Sequence, residues 1–328
     1  MRSLLKVGLG LGALALGALD GTANAAETRG TGPGVRAELM IEQAPAGNPH
    51  SVSGGYATAS IAEQSASPTA FVKKNVAGVK YEDITVTCGA GMSKAFWTWV
   101  ADTMGRKTPS RNGSVDLVGF DNKPVSQLTY ANALISQITF PTLDASIKEP
   151  AFFTVVLTPE STRRGVGKGT AVAPRDLSKQ KAWVTSNFKL DIPGLDTSRV
   201  SRIESFTFKQ KTMASTVGVQ REPTLHAASW EVPNLVVTIN EAGAADWYAW
   251  YQSFFVEGRR LDENEKSGTL TFLAPDLQTT YMKLSLKHIG LAKFTPDKVE
   301  AGGEAIRRVR VEMYVEEMSL DVDGSAAF

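Results

Sequence analysis

The chain has 328 residues, a length that predicts two domains with room for a hydrophobic core in each. Its 35 Lys and Arg residues nearly cancel its 34 Asp and Glu residues, so it lacks the basic excess of a sequence-specific nucleic-acid-binding protein. Its only cysteine, Cys88, excludes an internal disulfide, so packing must stabilise the fold.

The N-terminal residues are typical of an export signal. Arg2 and Lys6 provide positive charge, residues 7–19 form an apolar run broken only by glycine, and residues 23–25 read Ala-Asn-Ala. A charged start, an apolar stretch and a small-residue cleavage motif in this order indicate a cleaved signal peptide over residues 1–25.

The signal predicts where the mature protein is located. The apolar run ends at Asp20, short of the ~20 apolar residues that a membrane span requires, so the mature chain is expected to have no stable span. We expect cleavage at Ala25-Ala26 and export to the periplasm or the extracellular space. The alternative is assembly in the cytoplasm or in a virion, with the signal unused.

The first half predicts strands around one helix. A Thr/Gly/Pro-rich leader, residues 26–34, precedes alternating apolar positions at residues 39–41 and 84–88, as in half-buried strands. Residues 91–104 instead place aromatic and apolar side chains at steps of three and four, and Gly105 follows. This pattern predicts a short amphipathic helix.

The rest of the first half predicts turns, a closing strand and a linker. Turn signals occur at Asn112-Gly113 and at residues 121–124. Residues 152–157 form an apolar run interrupted only by Thr154, which predicts a strand covered on both faces. Residues 161–182 are rich in Arg, Lys and Gly and have no apolar period, so we interpret them as an interdomain linker.

The second half predicts the same kinds of element in the same order. The pattern indicates alternating strands, an aromatic helix followed by Gly258, and an alternating closing strand. The segments are residues 188–192, a turn at Pro193-Gly194, a strand around Ile203, Phe206 and Phe208, a helix over residues 246–257, and a closing strand over residues 309–315.

The two halves also align with each other. Residues 81–88 match residues 232–239 without a gap, and residues 96–99 match residues 247–250, both at an offset of 151 (235 minus 84). A period of this length indicates a duplicated domain, because solenoid repeats are only about 20–50 residues long.

We therefore predict a mainly β (α+β) chain of two tandem domains. They cover residues 35–160 and 183–322, and a short tail, residues 323–328, follows. Each domain is expected to be an antiparallel β-barrel or sandwich with one flanking α-helix.

No catalytic residue, cofactor site or metal site is predicted. His50, His226 and His288 are isolated in the sequence and are expected on the surface. Cys88 aligns with Ile239, which indicates a buried small hydrophobic residue rather than a nucleophile. The chain is therefore not expected to be an enzyme.

Two further patterns have structural interpretations. Residues 165–170 resemble a phosphate-binding loop only loosely, because Thr162 stands where the motif requires its first glycine. The aromatic helices could stack sugars, but their spacing places the rings on one stripe, where such rings more often cover a sheet. We interpret the first pattern as linker and the second as core.

The order of these motifs resembles the tail-tube proteins of contractile phages. In the first half the similarity lies in residues 79–86, the helix with Trp97 and Trp99, residues 111–115 and residues 141–145. In the second half it lies in residues 187–192, the second Trp helix and residues 268–272.

The resemblance implies a structural protein. Tail-tube domains form six-membered rings by joining their sheets edge to edge around a channel, and the rings stack into tubes. Such tubes belong to phage tails, tailocins, extracellular contractile injection systems and type VI secretion. Self-association is therefore expected, with sheath, baseplate or spike-like proteins as further partners, and no catalytic residue is implied.

Two domains per chain predict a trimer with pseudo-sixfold symmetry. Two polar excursions, residues 44–70 and 213–228, are expected to carry the stacking of rings, and their alternative interpretation is a surface loop. The competing function is a secreted, non-catalytic binding or adhesion module, whose two β domains present loops and form no tube.

Overall fold

The computed structural model describes residues 36–64, 71–119, 121–167, 183–215, 222–298 and 306–322. The expected signal peptide, leader and tail lie outside these ranges, as does most of the expected linker. The described chain is mainly β, with antiparallel pairing throughout and two short α-helices. The predicted fold class is therefore confirmed.

The first half contains strands β1 to β11 and helix α1. Their bounds are β1 (Arg36–Ile41), β2 (Ala44–Gly47), β3 (Ser51–Gly54), β4 (Ala57–Gln64), β5 (Lys73–Tyr81), β6 (Ile84–Cys88), α1 (Lys94–Met104), β7 (Arg111–Val118), β8 (Pro124–Phe140), β9 (Leu143–Asp144), β10 (Phe153–Thr158) and β11 (Ser161–Val166).

The second half contains strands β12 to β19 and helix α2. Their bounds are β12 (Phe188–Asp191), β13 (Val200–Ile203), β14 (Phe206–Ser215), β15 (Thr224–Glu231), β16 (Leu235–Asn240), α2 (Ala245–Tyr251), β17 (Lys266–Leu273), β18 (Thr280–Pro296) and β19 (Arg308–Asp321). A π-helical turn, Gln252–Val256, extends α2, so the helix predicted over residues 246–257 is present.

The strands form two large sheets and one separate hairpin. The first sheet has the strand order β2-β1-β7-β8-β10-β6-β3; β11 and β14 also pair with β8, and β15 pairs with β14. The second sheet has the order β12-β17-β18-β19-β16-β13-β9. Among the described strands, β4 and β5 pair only with each other.

The pairing pattern of the first sheet recurs in the second. In the first sheet Val155 of β10 lies opposite Val86 of β6 and opposite Ile138 of β8. In the second sheet Val311 of β19 lies opposite Val237 of β16 and opposite Phe294 of β18. Corresponding strands therefore have corresponding neighbours.

The two sheets also exchange strands between the halves. The first four residues of β14, from the second half, pair with the C-terminal end of β8 in the first sheet. In return, β9 from the first half pairs with β13 at the edge of the second sheet. A cut between the halves of the chain would therefore separate paired strands.

One hydrophobic core extends across both halves. The ring of Phe153 lies 5.9 Å from that of Phe272, and Phe140 is also 5.9 Å from Phe272, between ring centroids. Trp183, just before the second half's first strand, stacks on Phe153 at 5.0 Å and is almost fully buried. These rings join the two sheets through side-chain packing as well as strand pairing.

Helix α1 forms where the sequence places aromatic residues at helical spacing. The side-chain oxygen of Ser93 accepts a hydrogen bond from the backbone N–H of Phe96, which caps the first turn. Trp97 and Trp99 are buried, and their indole N–H groups donate to the carbonyl oxygens of Ala90 and Pro109. The predicted core role of this aromatic cluster is confirmed.

The structure corrects three of the sequence predictions. The expected linker begins too early, because Ser161–Val166 is strand β11, which pairs with β8. The alternative interpretation of the excursions 44–70 and 213–228 as surface loops is wrong for most of their described residues, which belong to β2, β3, β4, β14 and β15, and their role in ring stacking stays a prediction. The turn expected at Asn112-Gly113 lies inside β7.

Gly113 is needed in β7 for a close approach rather than for a turn. A side chain at this position would collide with the carbonyl oxygen of Met40 and with the ring of Tyr130. The Tyr130 hydroxyl crosses the strand here and donates to that carbonyl at 2.9 Å. Glycine makes room for this buried tyrosine.

Candidate assembly interface

The hairpin β14–β15 shows how the two halves are joined. Its first four residues pair antiparallel with the end of β8, so they add a strand to the first sheet. Phe206 and Phe208 of β14 are 5% and 2% exposed, so the joined segment is part of the core. The paired residues are Phe206 with Phe140, Thr207 with Thr139, Phe208 with Ile138 and Lys209 with Gln137.

Side chains reinforce this joint. The hydroxyl oxygens of Thr139 and Thr207 are 2.9 Å apart and hydrogen-bonded, and the rings of Phe140 and Phe206 stack with centroids 4.7 Å apart. Ser205 donates a further hydrogen bond to the Phe140 carbonyl at 2.8 Å. Cross-strand contacts of this kind stabilise a sheet by roughly 0.2–1 kcal/mol per pair.

The N-terminal end of β15, the end farther from the docked residues of β14, is held by the first half as well. The backbone N–H of Leu225 donates to a carboxylate oxygen of Glu160 at 2.7 Å. The other carboxylate oxygen of Glu160 accepts from the side-chain amide of Asn132, also at 2.7 Å. Glu160 thus links the second hairpin to β8, on which Asn132 lies.

The corresponding hairpin of the first half, β4–β5, has no such partner among the described strands. Every residue of β4 is exposed, and β5 is exposed over its first five residues. The apolar side chains of Ile61 and Val76 are 55% and 63% exposed. An exposed hairpin with apolar residues and a free edge is a typical site for pairing with another chain.

Only the base of this free hairpin is fixed to the first sheet. The Thr162 hydroxyl donates to the carbonyl of Gly55 at 2.7 Å, and the Arg164 guanidinium donates to the Tyr56 hydroxyl at 2.7 Å. Gly54 and Gly55 have φ values of +85° and +80°, which L side chains rarely adopt. The two glycines therefore allow the chain to turn out of β3 into β4.

At the place where β14 pairs with the end of β8 in the first sheet, the second sheet has no described strand beside the end of β18. Strand β17 pairs with β18 only as far as Ile289, and no described strand continues on that side beside the last residues of β18. Lys293, Thr295 and Pro296 are exposed there. Phe294 is half-buried, because its ring packs against the rings of Tyr248 and Tyr251, at 4.9 and 5.0 Å.

The three histidines lie on the surface, as predicted, but one of them belongs to a cluster. His288 in β18 forms a 2.9 Å contact with Glu265, and Glu316 of β19 completes a group whose ligand-type atoms lie within 4.8 Å of one another. The Tyr314 hydroxyl also donates to Glu265 at 2.6 Å. Sequence spacing could not predict this group, because its members come from three different strand regions.

The remaining candidate positions are structural. Cys88 is fully buried in β6, and burial raises the pKa of its thiol far above the usual range, which disfavours the nucleophilic thiolate. Thr162 and Gly165, from the loosely phosphate-loop-like segment, lie in β11. Within the described ranges, no helix is long and apolar enough to cross a membrane.

The comparison with protein families gives a match in the first half. Residues 50–163, about a third of the chain, match the family of the T4-like virus tail tube protein gp19. The first half resembles a tail tube protein. The matched segment runs from the start of β3 into β11, so it contains the free hairpin, helix α1 and the whole of β8. The matching family is structural, which supports a structural, tube-like protein.

Solved structures of contractile injection systems are also similar, at low identity. A protein of the anti-feeding prophage baseplate is 11% identical, with 48% of this chain and 99% of that chain covered and a TM-score of 0.33. A protein of the PVC sheath-tube complex in its extended state is 11% identical, with 41% and 88% covered and a TM-score of 0.34.

Hcp1 from Flavobacterium johnsoniae is a further similar structure. It is 12% identical, with 41% of this chain and 94% of that chain covered and a TM-score of 0.25. None of the curated protein sequences matches the chain.

Proposed function

We propose that the chain is a structural subunit that assembles into tail-tube-like rings. The observation that carries this proposal is the strand pairing between the halves, in which β14 adds an edge strand to the sheet that contains the tail-tube match. On this proposal, that pairing joins two tube-like halves edge to edge inside one chain. A ring needs only the same kind of contact between chains.

A tandem duplication accounts for this arrangement. The sequence offset of 151 residues between the halves recurs in the strand pairing, where Val86 of β6 corresponds to Val237 of β16 (237 minus 86). We propose that each half is one tube domain, so three chains provide the six domains of a pseudo-sixfold ring. A contact of unlike surfaces closes into a ring when its rotation divides a full turn.

The proposal extends to location and partners. The N-terminal residues 1–25 favour export, with cleavage at Ala25-Ala26, so the rings would assemble outside the cytoplasm. The tail-tube resemblance also favours sheath-like, baseplate-like or spike-like proteins as partners of stacked rings. No catalytic role is proposed.

Native mass spectrometry and negative-stain electron microscopy of the chain starting at Ala26 test the proposal. Trimers or multiples of trimers, seen as rings with a central channel, are the expected result. A chain that stays monomeric at high concentration would contradict ring assembly and favour the alternative, a secreted binding or adhesion module.

A further inference from the structure

We propose that β4 of one chain pairs antiparallel with the C-terminal end of β18 in a second copy of this chain. The inference rests on the proposed ring assembly and specifies its contact between chains. It follows from comparing the observed pairing of β14 with β8 with two strand edges at the corresponding places, β4 and the end of β18, which have no such described partner.

The first step identifies β4 with β14. Both strands begin a hairpin that follows a short strand in the corresponding place, because β3 pairs with β6 and β13 pairs with β16. In the docked hairpin Lys209 lies opposite Glu231, and in the free hairpin Thr58 lies opposite Lys80. The residue numbers of these two pairs differ by 151 on both strands (209 minus 58, and 231 minus 80). The two hairpins therefore have the same register at their bases.

The second step identifies the free end of β18 with the docking end of β8. Ile138 of β8 lies opposite Val155, and Phe294 of β18 lies opposite Val311. The residue numbers of these two pairs differ by 156 on both strands (294 minus 138, and 311 minus 155). The strand end that receives β14 in the first sheet thus corresponds to the strand end that has no described partner on that side in the second.

These two offsets fix the register between chains. By these offsets the residues of the docked joint correspond to positions 55–58 on the donor side, where Gly55 and Tyr56 directly precede β4, and to positions 293–296 of β18. The predicted pairs are Tyr56 with Thr295, Ala57 with Phe294 and Thr58 with Lys293, the second member of each pair belonging to the second copy. The ladder is expected to end before Gly55, whose N–H and carbonyl are bonded to Asp83 and Thr162 of its own chain, and Pro296 has no N–H to donate.

Exposure supports a contact at both surfaces. Ile138 and Phe140 on the receiving strand β8 are buried, whereas their counterparts on β18, Phe294 and Pro296, are half-buried and exposed. The donor strands differ in the same way, because Phe208 is buried and its counterpart Ala57 is exposed. Within the described residues, one chain therefore carries a donor edge in its first half and a receiving edge in its second half, each without a paired strand.

The side chains predict that the contact between two chains is weaker than the joint between the two halves of one chain. Phe206 and Phe208 of the docked hairpin correspond to Gly55 and Ala57 of the free one, so less apolar surface is buried by the donor strand. In the contact between chains the large side chain is on the receiving strand, where Phe294 lies opposite the small Ala57. Chains should therefore separate before the two halves of one chain do.

Paired cysteines test the register directly. In Tyr56→Cys/Thr295→Cys, mild oxidation should link different chains, because cross-strand neighbours on one face can reach disulfide geometry. The matched control is Thr139→Cys/Thr207→Cys, at the corresponding positions of the joint inside the chain, where the hydroxyls are 2.9 Å apart and the disulfide should form within one chain. The native Cys88 is buried and should not compete.

Non-reducing gels and native mass spectrometry read the outcome. Tyr56→Cys/Thr295→Cys should give covalent dimers and trimers, while a pair two residues out of register, Thr58→Cys/Thr295→Cys, should give about tenfold less product. Mixing labelled and unlabelled chains distinguishes links between chains from links within one chain.

The outcomes separate this inference from the proposed function. Rings that form while Tyr56→Cys/Thr295→Cys gives no link between chains would overturn the inference and leave ring assembly standing. A link that forms only within one chain would overturn it as well. A wild-type chain that never forms oligomers would overturn both.

Discussion

The joint between the two halves predicts a large effect of truncating Phe208. This side chain is 2% exposed in β14 and lies opposite Ile138 of β8. Replacing a buried phenylalanine by alanine removes its apolar contacts and leaves a cavity, at a typical cost of about 3–5 kcal/mol. We therefore expect Phe208→Ala to lower the free energy of unfolding by about 4 kcal/mol and the melting temperature by about 7 °C.

Met213→Ala is the matched control, because it lies on the same strand beyond the docked segment and its side chain is 62% exposed. Its effect should stay within about 0.5 kcal/mol. Urea and thermal unfolding followed by circular dichroism give both values. Equal effects of the two substitutions would refute the docking of β14 on β8.

Three further predictions follow from the chain. Gly113→Ala should lower the free energy of unfolding in urea by more than about 2 kcal/mol, because the new Cβ meets the Met40 carbonyl and the Tyr130 ring. The control Gly165→Ala in β11, whose Cβ would meet nothing within 4 Å, should change the free energy of unfolding little. Equal losses in the two variants would contradict the close approach at Gly113. The hydrogen bonds from Arg310, at 2.8 and 3.1 Å, lower the pKa of Glu204, so the stability that this pair adds is present above the usual carboxyl pKa and lost as the pH falls through the lowered pKa. Because both side chains are about 40% exposed, Glu204→Gln should cost less than about 1 kcal/mol at pH 7 and nothing in strong acid, and a cost independent of pH would contradict the assignment. N-terminal sequencing of protein from the native host should begin at Ala26, whereas an intact Met1 would remove export and leave ring assembly unaffected.

The sequence pattern predicted those helices and strands whose buried residues recur at regular spacing. The aromatic helix α1 and strands such as β6 and β19 were predictable because their buried residues recur at helical or alternating positions. Strand β11 was missed, because its residues from Arg163 onward are exposed and carry no apolar alternation. Strand β4 was missed for the same reason, since all its residues are exposed.

The candidate interface was less predictable, because it depends on which strands become neighbours. The alternation of Phe206 and Phe208 predicts a strand with one buried face, but it does not specify that this strand pairs with β8 of the other half. Likewise, Glu265, His288 and Glu316 are distant in the sequence and meet only because β17, β18 and β19 are neighbours. Such contacts are set by topology rather than by local pattern.

The number of chains in the assembled particle tests ring assembly most directly. Native mass spectrometry of the chain that starts at Ala26, combined with class averages from negative-stain microscopy, measures it. Three chains per ring, with six similar densities around a channel, is the predicted result. A monomer at every concentration, or a closed ring of six chains, would contradict an account in which each chain supplies two tube domains.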